Sequence, residues 1–224
     1  MIVPIIPEDI FELNDNLQPQ FDKEVITIDN VFKNFSQILD ICYNTPVERW
    51  KASADSRNFK DYYDCRFTLV NWFPNQEKIH NRLSTLLNLT NKYFDIDAPM
   101  SAQNSFSFNY FKHLNRNVSK NLQQYPHYDQ YFNAIFYIDP YENGGTALYE
   151  NLDLENKEDE NILIDISHLK IKKIIKSVQN RCVIFPGHCL HGGYIEDHNK
   201  YYYNWRINMV NFFNITPQTD NKEN

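Results

Sequence analysis

Two stretches in the first hundred residues place apolar side chains at the spacing of an α-helix. Residues 31–43 follow a strand-like run at residues 25–28 and end before Pro46, and residues 79–93 repeat the helical pattern after Asn75. The apolar positions are Val31, Phe32, Phe35, Ile38, Leu39 and Cys42 in the first stretch and Ile79, Leu83, Leu86, Leu87, Leu89 and Tyr93 in the second. The pattern therefore predicts two helices.

Strand-like patterns dominate after Pro99. Residues 101–111 alternate Phe106, Phe108 and Tyr110 with Ser and Asn, which is the pattern of a half-buried strand. Further strand-like runs lie at residues 65–72, 131–138, 146–149, 182–185, 193–195 and 201–213. Helices that precede a series of short strands predict a mainly β fold, a barrel or sandwich with the helices packed on one outer face.

Two segments do not fit this core pattern. Residues 151–180 begin acidic, become apolar and end basic, so we interpret them as an insertion between two barrel strands, with room for a short helix. Residues 215–224 are polar and predict a disordered tail. The rest, residues 1–214, predicts a single domain, because 224 residues with 42% hydrophobic composition suffice for one substantial core.

The charge balance bears on the choice of partner. A net charge of −7 and a pI near 5.5 provide no electrostatic attraction for nucleic-acid phosphates, so a small molecule or a peptide is favoured over nucleic acid. A basic cluster is interpreted as a solvated face and consists of Lys170, Lys172, Lys173 and Lys176. The sequence contains no signal for a particular oligomeric state.

Cysteine spacing and hydropathy indicate the cellular setting. The four cysteines, Cys42, Cys65, Cys182 and Cys189, form no CxxC pair, which argues against a zinc ribbon or a disulfide framework. The apolar start at residues 1–7 is short, lacks a basic region and contains Pro4 and Pro7, so it does not match a signal peptide. Because no run of 18 apolar residues occurs, we expect a soluble, cytoplasmic protein without a membrane span.

Two residues of the segment at 125–130 have metal-binding chemistry. His127 and Asp129 are two positions apart, so on an extended chain both side chains project from the same face. One imidazole and one carboxylate make two-thirds of the ligand set that holds non-haem Fe(II) while leaving positions open. A His-x-Asp pair occurs by chance in many proteins, so a third ligand is needed.

The third ligand is expected from a later strand, and residues 180–192 offer two histidines. A strand at residues 182–185 enters a Pro-Gly turn in which His188 lies, and a side chain in such a turn generally faces solvent. His191 follows the apolar Leu190 and opens the next strand. We therefore favour His191 over His188 as the ligand.

A buried cation is the next requirement for a site that binds a dicarboxylate. Arg206 lies 15 residues after His191, inside the strand-like run at residues 201–213. Its planar guanidinium can bind a carboxylate through two hydrogen bonds. An arginine in an apolar strand is costly unless it is paired, although it could also face solvent on an edge strand.

In combination these segments resemble the 2-oxoglutarate/Fe(II)-dependent dioxygenase superfamily, and most of all its small prolyl-hydroxylase-like and phytanoyl-hydroxylase-like members. The resemblance covers about residues 101–213 and implies a double-stranded β-helix, also called a jelly roll and similar to the cupin fold, with the N-terminal helices packed on one sheet. The matching segments are PHYD at residues 126–129, AIFYI at 134–138, ENGGTALY at 142–149 and RCVIFPG at 181–187, followed by His191 and Arg206.

The resemblance implies roles for individual residues. His127, Asp129 and His191 would ligate Fe(II), and Arg206 would bind the distal carboxylate of the co-substrate 2-oxoglutarate. Tyr110, or its neighbour Asn109, and Asn208 are further candidates for contact with 2-oxoglutarate, with core packing as the alternative for Asn208. The pair Gly144-Gly145 resembles the family's turn into a strand near the site, and an ordinary hairpin turn is equally compatible.

The implied activity is oxidation of an unactivated C–H bond of a peptide side chain or an amino-acid-like molecule, with consumption of O₂ and 2-oxoglutarate and release of succinate and CO₂. Halogenase relatives lack a carboxylate at the position of Asp129, so its presence favours hydroxylation, with desaturation or demethylation also open. Two alternatives are a cupin-like isomerase or lyase that uses no 2-oxoglutarate and a non-catalytic metal-binding relic.

Overall fold

The computed structural model describes residues 9–44, 51–52, 63–69, 76–113, 122–123, 126–129, 131–150, 164–165 and 169–215. The described residues include the helices α1 (Phe35–Asn44) and α2 (Gln76–Asn88) and short 3₁₀ turns at Asn91–Tyr93 and His198–Tyr201. The strands are β1 (Gln20–Asp22), β2 (Val25–Ile28), β3 (Lys51–Ala52), β4 (Tyr63–Leu69), β5 (Met100–His113), β6 (Leu122–Gln123), β7 (Phe132–Tyr137), β8 (Gly145–Tyr149), β9 (Ile164–Asp165), β10 (Ile171–Lys176), β11 (Arg181–Pro186), β12 (His191–Tyr194) and β13 (Arg206–Ile215).

The strands form two main antiparallel sheets. The large sheet has the strand order β1-β2-β11-β7-β13-β5-β4-β3, and the small sheet has the order β10-β8-β12. Strands β6 and β9 form a separate pair. Non-sequential neighbours in both sheets are the mark of a jelly-roll arrangement. The predicted fold class, mainly β with flanking helices, is confirmed.

The large sheet has two different faces because successive side chains on a strand point in opposite directions. On β7, Ala134 and Phe136 belong to the core cluster that also contains the helices. Ile135 and Tyr137 belong to a second cluster, which includes Leu148 of the small sheet. One face of the large sheet is therefore covered by helices, and the other face is turned toward the small sheet. We call the region between the two sheets the interior space.

The helices bury most of the side chains that their spacing predicted. Helix α1 buries the predicted Ile38 and Cys42 and also Ile41, and in α2 the buried positions are Ile79, Leu83, Leu86 and Leu87. All of them lie in the helix-side cluster. The predicted Leu89 follows the end of α2 and is 45% exposed. A helix stripe of this width, packed on one sheet face, matches the predicted layer arrangement.

The first helix starts later than predicted, at Phe35 instead of residue 31. Asn180 holds the preceding segment: its backbone oxygen accepts from the Val31 N–H at 3.0 Å, and its Oδ1 accepts from the Phe32 N–H at 2.9 Å. The buried side chains of Val31 and Phe32 thus pack on the core from a non-helical segment. Asn180 Nδ2 also donates to the Phe32 oxygen at 3.0 Å, so this carbonyl is engaged in a tertiary hydrogen bond where a helix beginning at residue 31 would use it for a helical one.

A strand also lies within the segment that we interpreted as an insertion. Strand β10 pairs with β8, so these residues are part of the small sheet, and they do not form a helix. Ion pairs connect its lysines to the neighbouring β1–β2 region, Lys172 with Glu24 and Lys173 with Asp22. Strand β9 lies in the same segment and pairs with β6. The rest of the predicted insertion and most of the predicted tail, residues 151–163, 166–168 and 216–224, lie outside the described residues.

The predicted strand at residues 201–213 is shorter at its start. Residues 198–201 form a 3₁₀ turn, and the strand β13 begins at Arg206.

No helix in the described part of the chain combines the length and the apolarity that crossing a membrane requires.

Candidate metal centre

Two of the predicted ligands are joined through their backbones. The His127 N–H donates to the His191 oxygen at 2.9 Å, and the His191 N–H donates to the His127 oxygen at 3.1 Å. This isolated bridge places the two imidazole rings side by side, with their centroids 4.5 Å apart. Histidines 64 positions apart in the sequence are thus fixed as a cross-strand pair.

Asp129 is attached to the turn that precedes β12. Its N–H donates to the Gly187 oxygen at 2.8 Å, and the Gly187 N–H donates to the Tyr131 oxygen at 2.6 Å. A Cβ atom at Gly187 would lie 2.5 Å from the backbone carbonyl oxygen of Asp129 and 2.8 Å from that of Tyr131. Only glycine allows this close approach, so the Pro-Gly turn predicted from the sequence also positions Asp129.

The three predicted ligands converge on one point. His191 Nε2 lies 3.1 Å from Asp129 Oδ2, and His127 Nε2 lies 3.7 Å from the same oxygen. All three potential ligand atoms lie within 4.8 Å of one another. Two ligands at right angles, each about 2.1 Å from an ion, would be about 3 Å apart. The spacing of these three residues, hereafter the triad, therefore fits a single transition-metal ion.

The orientation of His191 is set by its second ring nitrogen. Nδ1 lies 2.9 Å from the Cys189 backbone oxygen, which can only accept, so Nδ1 donates there and Nε2 is directed at the triad. A protonated Nε2 donates to Asp129, and a deprotonated Nε2 offers its lone pair to a metal ion. The Phe185 ring packs edge-on at 4.8 Å. The His191 side chain is 6% exposed, whereas His188 is exposed and lies outside the triad.

The triad is open on one side. The side chain of His127 is 38% exposed and that of Asp129 is 21% exposed. Burial raises the pKa of Asp129, but the hydrogen bond with His191, the neighbouring imidazoles and the Asn133 amide outweigh it and hold that pKa below its usual value. The carboxylate is therefore ionised at neutral pH, as a ligand must be.

Asn133, which the sequence analysis missed, contacts two members of the triad. It is 1% exposed, and its Nδ2 donates to Asp129 Oδ2 at 2.9 Å and lies 3.4 Å from His191 Nε2. The only sequence signal was a polar residue at the first inward position of the otherwise apolar strand β7.

Arg206 lies between the two sheets, at the opposite end of the interior space from the triad. It is 7% exposed, and its Nη2 donates to the Gly145 oxygen at 2.8 Å, which connects the large sheet to the small one. No carboxylate of the described residues is in salt-bridge contact with it. Gly145 and His191 are separated by three register positions along β8, about 10 Å.

Two further polar side chains lie at the Arg206 end of the interior space, and the sequence did not identify them as site residues. Tyr137 of the large sheet and Thr146 of the small sheet join their hydroxyls at 2.7 Å, and the charge of Arg206 acts on the same phenol. Burial raises the pKa of Tyr137 to about 12, so the phenol remains neutral. We call Arg206, Tyr137 and Thr146 the arginine cluster.

The remaining predicted residues lie near the arginine cluster. Asn208 is on the same face of β13 as Arg206, is opposite Tyr137 in the register, and has a buried Oδ1 with no partner among the described residues. Tyr110 pairs with Ile207 and Asn109 pairs with Asn208 in the backbone register of β5. The structure describes these two residues of β5 by their backbone.

The glycine pair does not form a hairpin turn, because the strands before and after it, β7 and β8, lie in different sheets. Gly144 has φ +86° and Gly145 has φ +147°, and a Cβ atom would collide with the backbone of Tyr194 at the first and of Ile175 at the second. These contacts are with strands β12 and β10, which flank β8. Glycine thus allows the strand that carries the Arg206 acceptor to lie tightly between its neighbours.

The fold and the site together define a class: a double-stranded β-helix protein with two histidines and a carboxylate at one end of its interior. No protein-family model matches the sequence, and comparison with curated proteins also gives no match. Solved structures do match, and three of them share 10–12% sequence identity with this chain.

Three of these structures resemble this chain over most of its length. The epimerase SnoN, in complex with Fe³⁺, α-ketoglutarate and nogalamycin RO, has a TM-score of 0.54 at 10% identity, covering 85% of this chain and 78% of SnoN. OsALKBH1 has a TM-score of 0.53 at 10% identity, covering 87% and 99%. HygX from Streptomyces hygroscopicus, with nickel, 2-oxoglutarate and hygromycin B bound, has a TM-score of 0.50 at 12% identity, covering 86% and 83%. This likeness establishes the fold.

Proposed function

We propose that the chain is a non-haem, Fe(II)- and 2-oxoglutarate-dependent dioxygenase. The observation that carries the proposal is the convergence of the triad at one end of an interior space whose other end holds the buried Arg206 guanidinium. Two imidazole nitrogens and one carboxylate oxygen are the donor set of non-haem Fe(II) oxygenases. Two structural relatives, SnoN and HygX, have 2-oxoglutarate or α-ketoglutarate together with a metal ion in their structures.

The residues of the triad have distinct tasks in this proposal. His191 offers its Nε2 lone pair because Nδ1 is engaged with Cys189, and Asp129 contributes the negative charge that a divalent cation requires. His127 adds the second imidazole from the more exposed side. Three protein ligands leave other coordination positions to the co-substrate and O₂.

The arginine cluster has the properties of a carboxylate site. The guanidinium has several donors beyond the one used by Gly145, and the hydroxyls of Tyr137 and Thr146 are close at hand. A diacid with one end at the triad and the other at Arg206 would pair the buried charge, which is otherwise costly to bury. We assign this role to the distal carboxylate of 2-oxoglutarate.

Bound Fe(II) would supply the redox chemistry, in which O₂ and 2-oxoglutarate are consumed, succinate and CO₂ are released, and a C–H bond of the substrate is hydroxylated. The chain contributes a water-excluding interior. Leu148, Val183 and Phe185 line it and are at most 1% exposed. Dry apolar walls strengthen the charge interactions at both ends of the co-substrate.

The substrate class that we propose is a peptide side chain or an amino-acid-like small molecule. Tyr128 and Tyr131 lie within two positions of Asp129 in the chain and are 43% and 53% exposed. Aromatic side chains at a site entrance offer flat apolar contacts with a polar tip. The net charge of −7 opposes a phosphate-rich partner.

A single spectroscopic experiment tests the proposed function. Under anaerobic conditions, Fe(II) and 2-oxoglutarate added to the protein should produce a metal-to-ligand charge-transfer band in the visible range. His127→Ala should abolish the band, and Arg206→Ala should weaken it at a fixed 2-oxoglutarate concentration. His188→Ala is the matched control, because His188 is exposed and lies outside the triad.

Two outcomes of this experiment would contradict the proposal. A protein that binds Fe(II) but never shows the band with 2-oxoglutarate is a metalloprotein of another kind, such as a cupin-like isomerase. A protein that shows the band but releases no succinate in air, with a panel of amino acids and peptides, is a non-catalytic relic. Product analysis of an active pair then separates hydroxylation from desaturation or demethylation.

A further inference from the structure

Asn133 is a buried polar side chain that contacts the triad without belonging to it. It lies at the second position of β7, 1% exposed, and points inward to the same face as Ile135 and Tyr137. A buried amide on this face costs free energy unless its polar atoms are paired. Its location therefore requires a compensating interaction.

The hydrogen-bond partners identify which end of the Asn133 amide acts as a donor. Asn133 Nδ2 donates to Asp129 Oδ2 at 2.9 Å, so the donor end of the amide faces the carboxylate. The same oxygen lies nearest to the two imidazoles, at 3.1 Å from His191 Nε2 and 3.7 Å from His127 Nε2. The Asn133 amide thus holds the oxygen that faces the centre of the triad.

The other end of the amide is unpaired. Asn133 Oδ1 is buried and has no hydrogen-bond partner among the described residues. Leaving a buried acceptor unsatisfied costs free energy, because the oxygen has lost its hydrogen bonds to water. A side chain chosen only for packing on this apolar strand would carry no such cost.

We infer that Asn133 is a positioning residue, which fixes the Asp129 carboxylate in its metal-binding orientation and offers Oδ1 as an acceptor to a donor group on a molecule bound in the site. The inference rests on the proposed function, since it concerns the same metal site. Hydrogen bonds to a ligating carboxylate restrict its rotation and typically change metal affinity by about 10- to 100-fold when removed.

The test measures metal binding directly, without turnover. The protein without 2-oxoglutarate is titrated with Co(II), and the visible absorption of the bound ion reports both affinity and ligand geometry. Asn133→Leu keeps a similar side-chain volume and removes all hydrogen bonding. We expect it to lower Co(II) affinity by about 10- to 100-fold and to change the absorption spectrum, because Asp129 loses its fixed orientation.

A matched control separates this role from a structural one. Asn211 on the adjacent strand β13 is also 1% exposed, and it lies opposite Ala134, which faces the helix-side core. Asn211→Leu should leave Co(II) affinity and spectrum unchanged, whatever it does to the thermal unfolding temperature. Thermal unfolding of both variants, followed by circular dichroism, shows that each is folded at the temperature of the titration.

The outcomes are distinguishable. If folded Asn133→Leu binds Co(II) with the affinity and spectrum of the unaltered protein while His127→Ala does not bind, the metal site is real and the inference about Asn133 is wrong. If the unaltered protein binds no Co(II), the proposed function falls, and the positioning role falls with it. An equal loss of affinity in Asn211→Leu also overturns the inference.

Discussion

The two ends of the interior space are constructed in different ways. The triad is set by backbone: a two-residue bridge between His127 and His191, and a glycine turn against Asp129. The arginine cluster is set by side chains that cross from the large sheet to the small one. The triad is partly exposed, and Arg206 is buried.

This difference has a physical reason. A metal site needs ligand atoms held to a fraction of an ångström, and backbone hydrogen bonds provide that precision while leaving one side open for entry. A carboxylate site needs a charge kept away from water, so burial matters more than rigidity. Substitutions at one end should therefore affect metal binding, and substitutions at the other end should affect co-substrate binding.

The turn at Gly187 is the most sensitive point of the triad. Gly187→Ala would place a Cβ atom 2.5 Å from the Asp129 oxygen, so the backbone must shift and Asp129 must move away from the histidines. We expect loss of metal binding, measured by the Co(II) titration, in a protein that still folds. His188→Ala in the same turn is the control, and retained binding in Gly187→Ala would show that the turn does not position Asp129.

A substitution in the arginine cluster should weaken co-substrate binding and leave metal binding unchanged. Arg206→Ala removes a charged partner of the co-substrate, a contact worth about 1.5–3 kcal/mol, and should raise the 2-oxoglutarate dissociation constant by about 10- to 100-fold. Co(II) affinity without 2-oxoglutarate should stay unchanged. Arg206→Lys should recover part of the loss, because the charge returns without the planar fork. A parallel loss of Co(II) affinity would contradict the separation of the two ends.

Asp139 adds a pH dependence near the arginine cluster. Burial, opposed by the charge of Arg206, raises its pKa to about 6 from 3.8, so the folded protein binds a proton more readily than the unfolded chain. The stability contributed by this proton is present below about pH 4 and is lost as the pH rises through about 6. The shift corresponds to at most about 3 kcal/mol.

The Asp139→Asn variant tests this contribution. Denaturant unfolding between pH 4 and 7 should show a weaker decline of stability with rising pH than in the unaltered protein. Asp40→Asn, at an exposed position of α1, should leave the decline as it is. An unchanged slope in Asp139→Asn would mean that its carboxyl titrates at the same pH in the folded and unfolded chains.

The smallest effect is expected at Tyr137. Tyr137→Phe removes the hydroxyl that pairs with Thr146 and should weaken 2-oxoglutarate binding by about fivefold, the equivalent of about 1 kcal/mol. A titration of the charge-transfer band measures it. The Tyr141→Phe variant is a control at a phenol outside the arginine cluster, and an effect of equal size there would remove Tyr137 from this assignment.

Local rules account for the parts of the structure that the sequence predicted. Helical spacing identified the buried stripes of α1 and α2, and alternation identified β5, β7, β8 and β11 to within two residues. The two-residue spacing of His127 and Asp129 and the Pro-Gly turn before His191 indicated three residues that the structure brings together. These features depend on periodicity and turn chemistry, which neighbouring residues determine.

Tertiary structure decided what depends on contacts between distant strands. Asn180 determined where α1 begins, and pairing with β8 made β10 a strand. Asn133, Tyr137 and Thr146 appeared in the sequence only as polar residues within apolar strands, since their partners lie on other strands or across the interior. Which side chains share a cavity is set by register and by the distance between sheets, and neither can be deduced from the spacing along one chain segment.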